Sequence, residues 1–300
     1  MMTISGQVTV LPGGYADGRG RIHREAEVIA MTGRDEELLA DGSGSAVLVT
    51  ALLSRCVRRI GTITPVTPEV ARGLLVADRQ FLLLKVREAT FGTAVRSSIA
   101  CPRPECGRRI DVEFDTADIP VVESADKGPQ FPMTLDTQDG LRADGGTHRE
   151  LVFRLPHGGD QEALSAVLQK NDAAALTALL ERCILRIGPF EPAPPELVAR
   201  LSPRARLAVE RRMAELAPQL DLTMESTCPE CGHGYSVPFE IQSFLFGELR
   251  VNAGLLRGEL HYLAYHYHWS EQEIMDMPRE RRRRYVAMLT DEIERSHADL

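Results

Sequence analysis

Two short cysteine pairs are the residues of this chain best suited to chemistry. They are Cys101-Pro-Arg-Pro-Glu-Cys106-Gly and Cys228-Pro-Glu-Cys231-Gly. Two thiolates a few residues apart can face one ion, while the proline shapes a tight turn and the glycine lets the backbone reverse. Four thiolates complete the tetrahedral shell that Zn²⁺ prefers. Cys101, Cys106, Cys228 and Cys231 are therefore predicted to bind a structural zinc ion.

Three arrangements of these cysteines are open from the sequence alone. One zinc ion shared by both pairs requires their sulfur atoms to lie within a few ångströms of one another, since zinc–sulfur bonds are about 2.3 Å long. Two separate sites would need other ligands, and His233 is available to the second pair. The third arrangement holds no metal. A closed four-cysteine site leaves no coordination position for a substrate, so catalysis is not implied.

The chain repeats itself at an offset of 127 residues. Residues 51–61 return as residues 178–188, and the Cys-Pro step at Cys101 returns at Cys228. Solenoid repeats have periods of about 20–50 residues, so the longer offset indicates a duplicated domain. Each copy ends in a cysteine pair, and a pseudo-two-fold arrangement of the copies would bring the two pairs together.

Other matches support the same duplication. At an offset of 125 residues, residues 23–25 return as residues 148–150. Cys56 and Cys183 occupy equivalent places in apolar helical patterns and are interpreted as small core residues.

The predicted fold class is α+β, with two tandem copies that are each mostly helical and carry the cysteine pair on a β-hairpin. The glycine-rich stretch 11–20 predicts a hairpin turn. A helix is predicted from Ser45 to Gly61, because Leu52, Cys56 and Ile60 share one helical face. Three further helices of the first copy are predicted to begin near Gly33, at Pro68 and near Asp78.

Four segments are expected along the chain: residues 1–123, 124–147, 148–242 and 243–300. The first and third are the two copies. Residues 124–147 are rich in Gly, Asp, Thr and Pro and are interpreted as a linker or exposed loop. Residues 243–300 have no counterpart in the first copy and are predicted to form a helical appendage.

Composition excludes several classes of protein. The net charge of −8 argues against a general nucleic-acid binder, which would normally be basic. No apolar run is long enough to span a membrane. The first residues lack the basic and apolar stretches of a signal peptide, so synthesis and residence in the cytoplasm are expected.

An aromatic tract near the C-terminus predicts a surface for docking a partner protein. Tyr262, Tyr265, Tyr267 and the single tryptophan, Trp269, lie within it. Aromatic residues of this kind are enriched at protein interfaces. The histidines of the tract do not have the three- or four-residue helical spacing of a metal site.

The basic run 279–284 is interpreted as a solvated helix face or as a partner of acidic side chains, rather than as a nucleic-acid contact. Fingerprints of serine hydrolases, P-loop proteins, zinc proteases and dinucleotide-binding enzymes are absent from the sequence. The protein is therefore expected not to be an enzyme.

The chain resembles the T4-type baseplate protein family of contractile phage tails and related injection systems. The resemblance rests on residues 23–25, 31–39 and 52–56 and on the cysteine pair followed by an alternating strand, over about residues 8–120. The second copy is similar but more divergent. The members considered carry one copy, so the duplication is a departure. The tail, residues 263–285, looks like a small helical protein of the same gene clusters, which suggests a fusion.

The resemblance implies a non-enzymatic baseplate or hub assembly protein. Its partners would be baseplate, hub or tube proteins, and it would be associated with the assembled particle. The alternative is a zinc-ribbon adaptor that binds nucleic acid or the transcription machinery.

Overall fold

The computed structural model describes residues 6–40, 45–124, 128–168 and 172–298. We call residues 6–124 the first unit, 128–238 the second unit and 239–298 the C-terminal segment. The first unit contains β1 (Gln7–Ala16), β2 (Ile22–Val28), α1 (Gly33–Ala40), α2 (Ala46–Cys56), β3 (Val57–Ile60), α3 (Pro68–Gly73), α4 (Val76–Phe91), β4 (Ala94–Ala100), β5 (Arg109–Asp115) and β6 (Val121–Val122).

The second unit follows the same order with two exceptions. It contains β7 (Phe131–Thr134), β8 (Leu141–Ala143), β9 (Gly146–His148), β10 (Glu150–Phe153), α5 (Gly158–Leu168), α6 (Asp172–Cys183), β11 (Ile184–Ile187), α7 (Pro195–Ala199), α8 (Pro203–Leu216), β12 (Gln219–Leu220), β13 (Thr223–Thr227) and β14 (Gly234–Pro238). Its first hairpin is more broken, and its short strand β12 precedes the last hairpin, whereas β6 follows the last hairpin of the first unit. The C-terminal segment is helical, with α9 (Ile241–Tyr267), α10 (Glu271–Met275) and α11 (Arg279–Ala298).

Each unit contains a three-stranded antiparallel sheet, in the order β1-β2-β3 in the first and β7-β10-β11 in the second. The protein is therefore a mixed α and β protein with small sheets, as the sequence indicates. Two helix starts agree with expectation, because the side chains of Ser45 and Thr67 accept hydrogen bonds from the first turns of α2 and α3. Helix α10 begins with a capping box formed by Ser270 and Glu273.

The helix predicted up to Gly61 ends five residues earlier, at Cys56, and residues 57–60 form strand β3 instead. A bulge in the pairing with β2 places Val57 opposite Val28 and Ile60 opposite Ala26. Both apolar side chains therefore reach the core with a spacing of three residues, which in the sequence looks like one face of a helix. Strand β11 has the same irregularity opposite β10.

Equivalent contacts hold the sheet of each unit. Gly61 and Gly188 adopt φ values of +56° and +55°, in the left-handed region that favours glycine. A Cβ atom at Gly61 would collide with the ring of His23, and one at Gly188 with the ring of His148. The close approach of a histidine ring to a glycine therefore occurs once in each unit.

The acidic residue of the first helix turn also has the same partner twice. Asp35 of α1 is paired with Arg55 of α2. Asp160 of α5 is paired with Arg182 of α6 at 2.8 Å, and also with Arg154. Each carboxylate lies in the first turn of its helix, where the helix dipole stabilises a negative charge. Each also joins its helix to the following one through the ion pair.

The C-terminal segment completes the core of the first unit. Ile241, Leu245, Phe246 and Leu249 of α9 are buried in the same cluster as the side chains of α2 and α4. The second unit has a core of its own, formed almost entirely by residues 131–217. The described part of residues 243–300 is helical, and the start of α9 supplies apolar area to the core of the first unit.

The segment 124–147 also differs from the expected linker. Within it, β7 pairs with β10, and β8 and β9 form a hairpin. Of its few large apolar residues, Phe131, Leu135 and Leu141 are buried in the core of the second unit, and the half-buried Met133 packs against that core. A low apolar content is therefore compatible with a folded edge strand, since only one face of this sheet needs apolar side chains. None of the described helices is long and apolar enough to cross a membrane.

Candidate metal centre

Two β-hairpins position the four cysteines. Strands β4 and β5 pair antiparallel from Ala94 opposite Asp115 to Ala100 opposite Arg109, and Cys101 follows β4 directly. In the second unit, Cys228 follows β13, which pairs with β14 up to Thr227 opposite Gly234. Each cysteine pair therefore lies in the turn at the tip of its hairpin.

Backbone hydrogen bonds fold each tip into a tight turn. Cys101 donates its N–H to Arg108 O at 2.8 Å, and Gly107 donates to Arg103 O at 3.1 Å. In the second tip, Cys228 donates to the carbonyl of His233, and Gly232 donates to Cys228 O, both at 2.9 Å. The glycine after each pair is left-handed, with φ values of +55° and +67°. The proposed role of these glycines in reversing the backbone is confirmed.

The two tips meet. The sulfur of Cys101 lies 3.8 Å from that of Cys231, and the sulfur of Cys106 lies 3.9 Å from that of Cys228. All four sulfur atoms lie within 4.8 Å of one another. In a regular tetrahedron with metal–sulfur bonds of about 2.3 Å, neighbouring sulfur atoms are about 3.8 Å apart. The expected proximity of the two pairs is confirmed, and the four thiols can hold one metal ion.

Burial differs within each pair in the same way. Cys101 and Cys228 are buried, whereas Cys106 and Cys231 are half-buried, and all four are free thiols. Ile110 and Tyr235 are the other buried residues of this small cluster. Among the described residues that could hold a metal, His233 does not join the four cysteines. The alternative of two separate sites, with His233 as a ligand of the second, therefore has no support in this geometry.

The thiols also differ in acidity when no metal is bound. Burial raises the pKa of the Cys101 thiol to about 12. At Cys228 burial acts in the same direction, but hydrogen bonds from the backbone N–H groups of Cys231 and Glu230 prevail and lower its pKa to about 7. Backbone N–H groups aimed at a sulfur favour the thiolate, which is the form that binds a metal.

Comparison with known proteins gives one match. Residues 23–246 match the family described as T4 bacteriophage base plate protein. The chain belongs to this family. No curated protein and no solved structure matches the chain. The family match runs from β2 into α9, so it includes both the first copy, where the resemblance is stronger, and the more divergent second copy. It also includes all four cysteines.

The aromatic tract of this baseplate family protein lies at the end of α9. Tyr267 and Trp269 stack at 4.6 Å with an interplanar angle of 15°, and Tyr285 of α11 packs edge-on against Trp269. Tyr262 contacts His266, while Tyr265 remains 69% exposed. The tract therefore has two parts, a packed stack that ties α9 to α11 and an exposed part on the last turns of α9.

Two arginines of the basic run have a role that the sequence indicated only in general terms. Arg279 and Arg282 are 4% and 0% exposed, and both bind the carboxylate of Glu36, which is 3% exposed. Arg282 also binds Glu259 of α9 at 2.9 Å. This buried network joins α1 to α9 and α11. The acidic partners expected for the run were not identifiable, because Glu36 and Arg282 are 246 residues apart.

Proposed function

We propose that the protein is a non-enzymatic assembly or structural protein of the baseplate or hub in a contractile phage tail or a related injection system. The observation that carries this proposal is the family match over both units. Its partners would be baseplate, hub or tube proteins. The protein would be made in the cytoplasm and would join the particle there.

The metal of the centre is proposed to be a structural Zn²⁺ ion bound by Cys101, Cys106, Cys228 and Cys231. The sulfur separations of 3.8 Å and 3.9 Å support a single tetrahedral site shared by both hairpins. Four thiolate ligands close the coordination shell, so the ion would join the hairpins and would not bind a substrate. Iron is the other metal that such a site accommodates, and metal analysis separates the two.

The two units are proposed to derive from the duplication of one domain. The largely matching order of elements and the two histidine–glycine contacts support this origin. The tail beyond residue 246, where the family match ends, is proposed to derive from a fused neighbouring protein. Its packing against α1 and α4 would then have replaced an interface between two proteins by a contact within one chain.

Tyr262, Tyr265, Tyr267 and Trp269 are proposed to form part of a surface that binds another tail component. The exposure of Tyr265 supports this role. The zinc-ribbon adaptor alternative would use the basic run to contact phosphates. It is less well supported, since Arg279 and Arg282 are already buried against Glu36.

The test is mass spectrometry of purified particles and of assembly intermediates from cells that carry or lack this gene. We expect to find the protein in one of these fractions. We also expect baseplate assembly to fail in cells that lack the gene. Normal particles in its absence would contradict the proposal. Binding to duplex DNA at physiological salt that weakens steeply as salt rises would favour the adaptor instead.

A further inference from the structure

A cavity on the second unit is a second candidate surface for binding a partner. A cavity of about 530 Å³ opens on the second unit between α5, α6 and α8, and the start of α4 forms one wall. Its lining is mainly apolar and includes Leu164, Leu176, Leu179 and Met213. We call this cavity the groove.

The equivalent surface of the first unit is covered by other parts of the chain. Helix α5 corresponds to α1, α6 to α2 and α8 to α4, by the offsets of 125 and 127 residues. Leu176 and Leu179 thus correspond to Val49 and Leu52, which are only 2% and 1% exposed. Leu176 and Leu179 themselves are half-buried.

The difference between the units follows from the path of α9. In the first unit, Leu245, Phe246 and Leu249 of α9 join the cluster that contains Val49 and Leu52. The chain leaves the second unit after β14 and packs α9 onto the first, so within the described residues no comparable helix lies on the groove. The second unit therefore has a face of the kind that binds a helix in the first.

The charges at the groove differ from those at the covered face. Glu36 and Arg87 of the first unit bind Arg279 of α11 and Glu248 of α9. Their counterparts in the second unit are the uncharged Gln161 and Ala214, so an occupant needs no charge there.

At the rim of the groove, a charged residue of the second unit replaces an apolar residue of the first. Glu210 is exposed where the first unit has the buried Leu83, and no ion pair of Glu210 is found in the described part of the chain. An occupant with a basic side chain at this edge would complement the carboxylate of Glu210.

We propose that the groove binds an amphipathic α-helix of another tail component, with an apolar face toward Leu176 and Leu179 and a lysine or arginine beside Glu210. This inference rests on the proposed function, since the partner is a component of the same particle. Helix-in-groove binding of this kind needs apolar anchors at helical spacing, which the cavity can accept.

The test uses the full chain in cells that assemble particles, with a photo-crosslinking amino acid at residue 176. Matched positions are Leu207 on the exposed face of α8 as a negative control and Tyr265 as a probe of the aromatic surface. We expect residue 176 to form an adduct with a helical segment of another particle protein. We expect no adduct at residue 207. Glu210→Lys should lower its yield at least fivefold, whereas Glu215→Lys, on the same helix, should not.

Each other outcome contradicts the inference. No adduct at residue 176, or one with a second copy of this chain, overturns the groove as a partner site, and an adduct insensitive to Glu210→Lys overturns the proposed basic contact. Adducts with particle proteins at Tyr265 alone would leave the proposed function intact. A protein absent from particles and from assembly intermediates would refute both.

Discussion

The sulfur atoms of Cys101 and Cys231 lie 3.8 Å apart, although 130 residues separate them along the chain. The cluster around them is small, and among the described side chains its other buried members are Cys228, Ile110 and Tyr235. So little apolar area provides little stability of its own. The contact between the two hairpins should therefore depend on the metal, whereas the larger cores of the two units should not.

Replacement of Cys228 by alanine should abolish metal binding. The purified protein should contain one zinc ion per chain, and Cys228→Ala should contain none, because three thiolates leave the site incomplete. Cys56→Ala is the matched control, since Cys56 is equally buried but lies in the core of the first unit. It should keep its zinc and lose about 1 kcal/mol of stability. Elemental analysis by mass spectrometry measures the ratio, and two zinc ions per chain would contradict a shared site.

Removal of the metal by a chelator should loosen the hairpins and little else. Hydrogen exchange should become faster at the backbone amides of the two hairpin tips, residues 99–110 and 226–235, because the cysteine cluster that they form is separate from the two main cores. The amides of α2 and α6 should keep their protection, since their side chains belong to those cores. Equal loss of protection in all of these elements would show that the metal supports the whole fold.

The Glu36→Gln substitution should destabilise the protein by about 3 kcal/mol, because it leaves two buried guanidinium groups without their shared carboxylate. Arg279 and Arg282 each bind Glu36 at 2.8 Å. Glu37→Gln is the control, since Glu37 is exposed one residue further along α1, and it should change stability by less than about 0.5 kcal/mol. Urea unfolding of the zinc-loaded proteins measures the difference. Equal effects of the two substitutions would exclude a stabilising role for the network.

Asp78 should make the stability of the protein depend on pH. Burial raises its pKa to about 6, although the N–H groups of Gly13 and Gly14 donate to the carboxylate at 2.8 Å and 2.9 Å. The folded protein therefore holds this proton more tightly than the unfolded chain. The resulting stabilisation is complete below the ordinary aspartate pKa and is lost as the pH rises through about 6.

The matched variant for this effect is Asp78→Asn, which has no proton to lose. The stability of the wild type relative to Asp78→Asn should fall by about 1 kcal/mol between pH 5 and pH 7.5. Unfolding curves of both proteins across this range measure the difference, in which effects of pH on the metal centre cancel. A difference that is constant with pH would mean that the carboxyl of Asp78 titrates normally.

The shared cysteine site was one of three arrangements that the sequence left open. The internal repeat suggested it, because two equivalent hairpins can meet if the copies pack about a pseudo-two-fold axis. No such information linked Glu36 to Arg282, since each residue also fits a common local pattern, an acid in a first helix turn and a basic helix face. The sequence of strand β3 resembles a helix, because Val57 and Ile60 are three residues apart like residues on one helical face. A bulge lets both side chains reach the core from a strand.

The position of α9 has a consequence for the synthesis of the protein. A ribosome has produced all residues of the core of the second unit by about residue 217, but the core of the first unit still needs residues 239–249. The first unit, although it is synthesised first, is therefore the last to complete its core. Until then its unfinished apolar face is exposed, and a chaperone that binds nascent chains would find a target there.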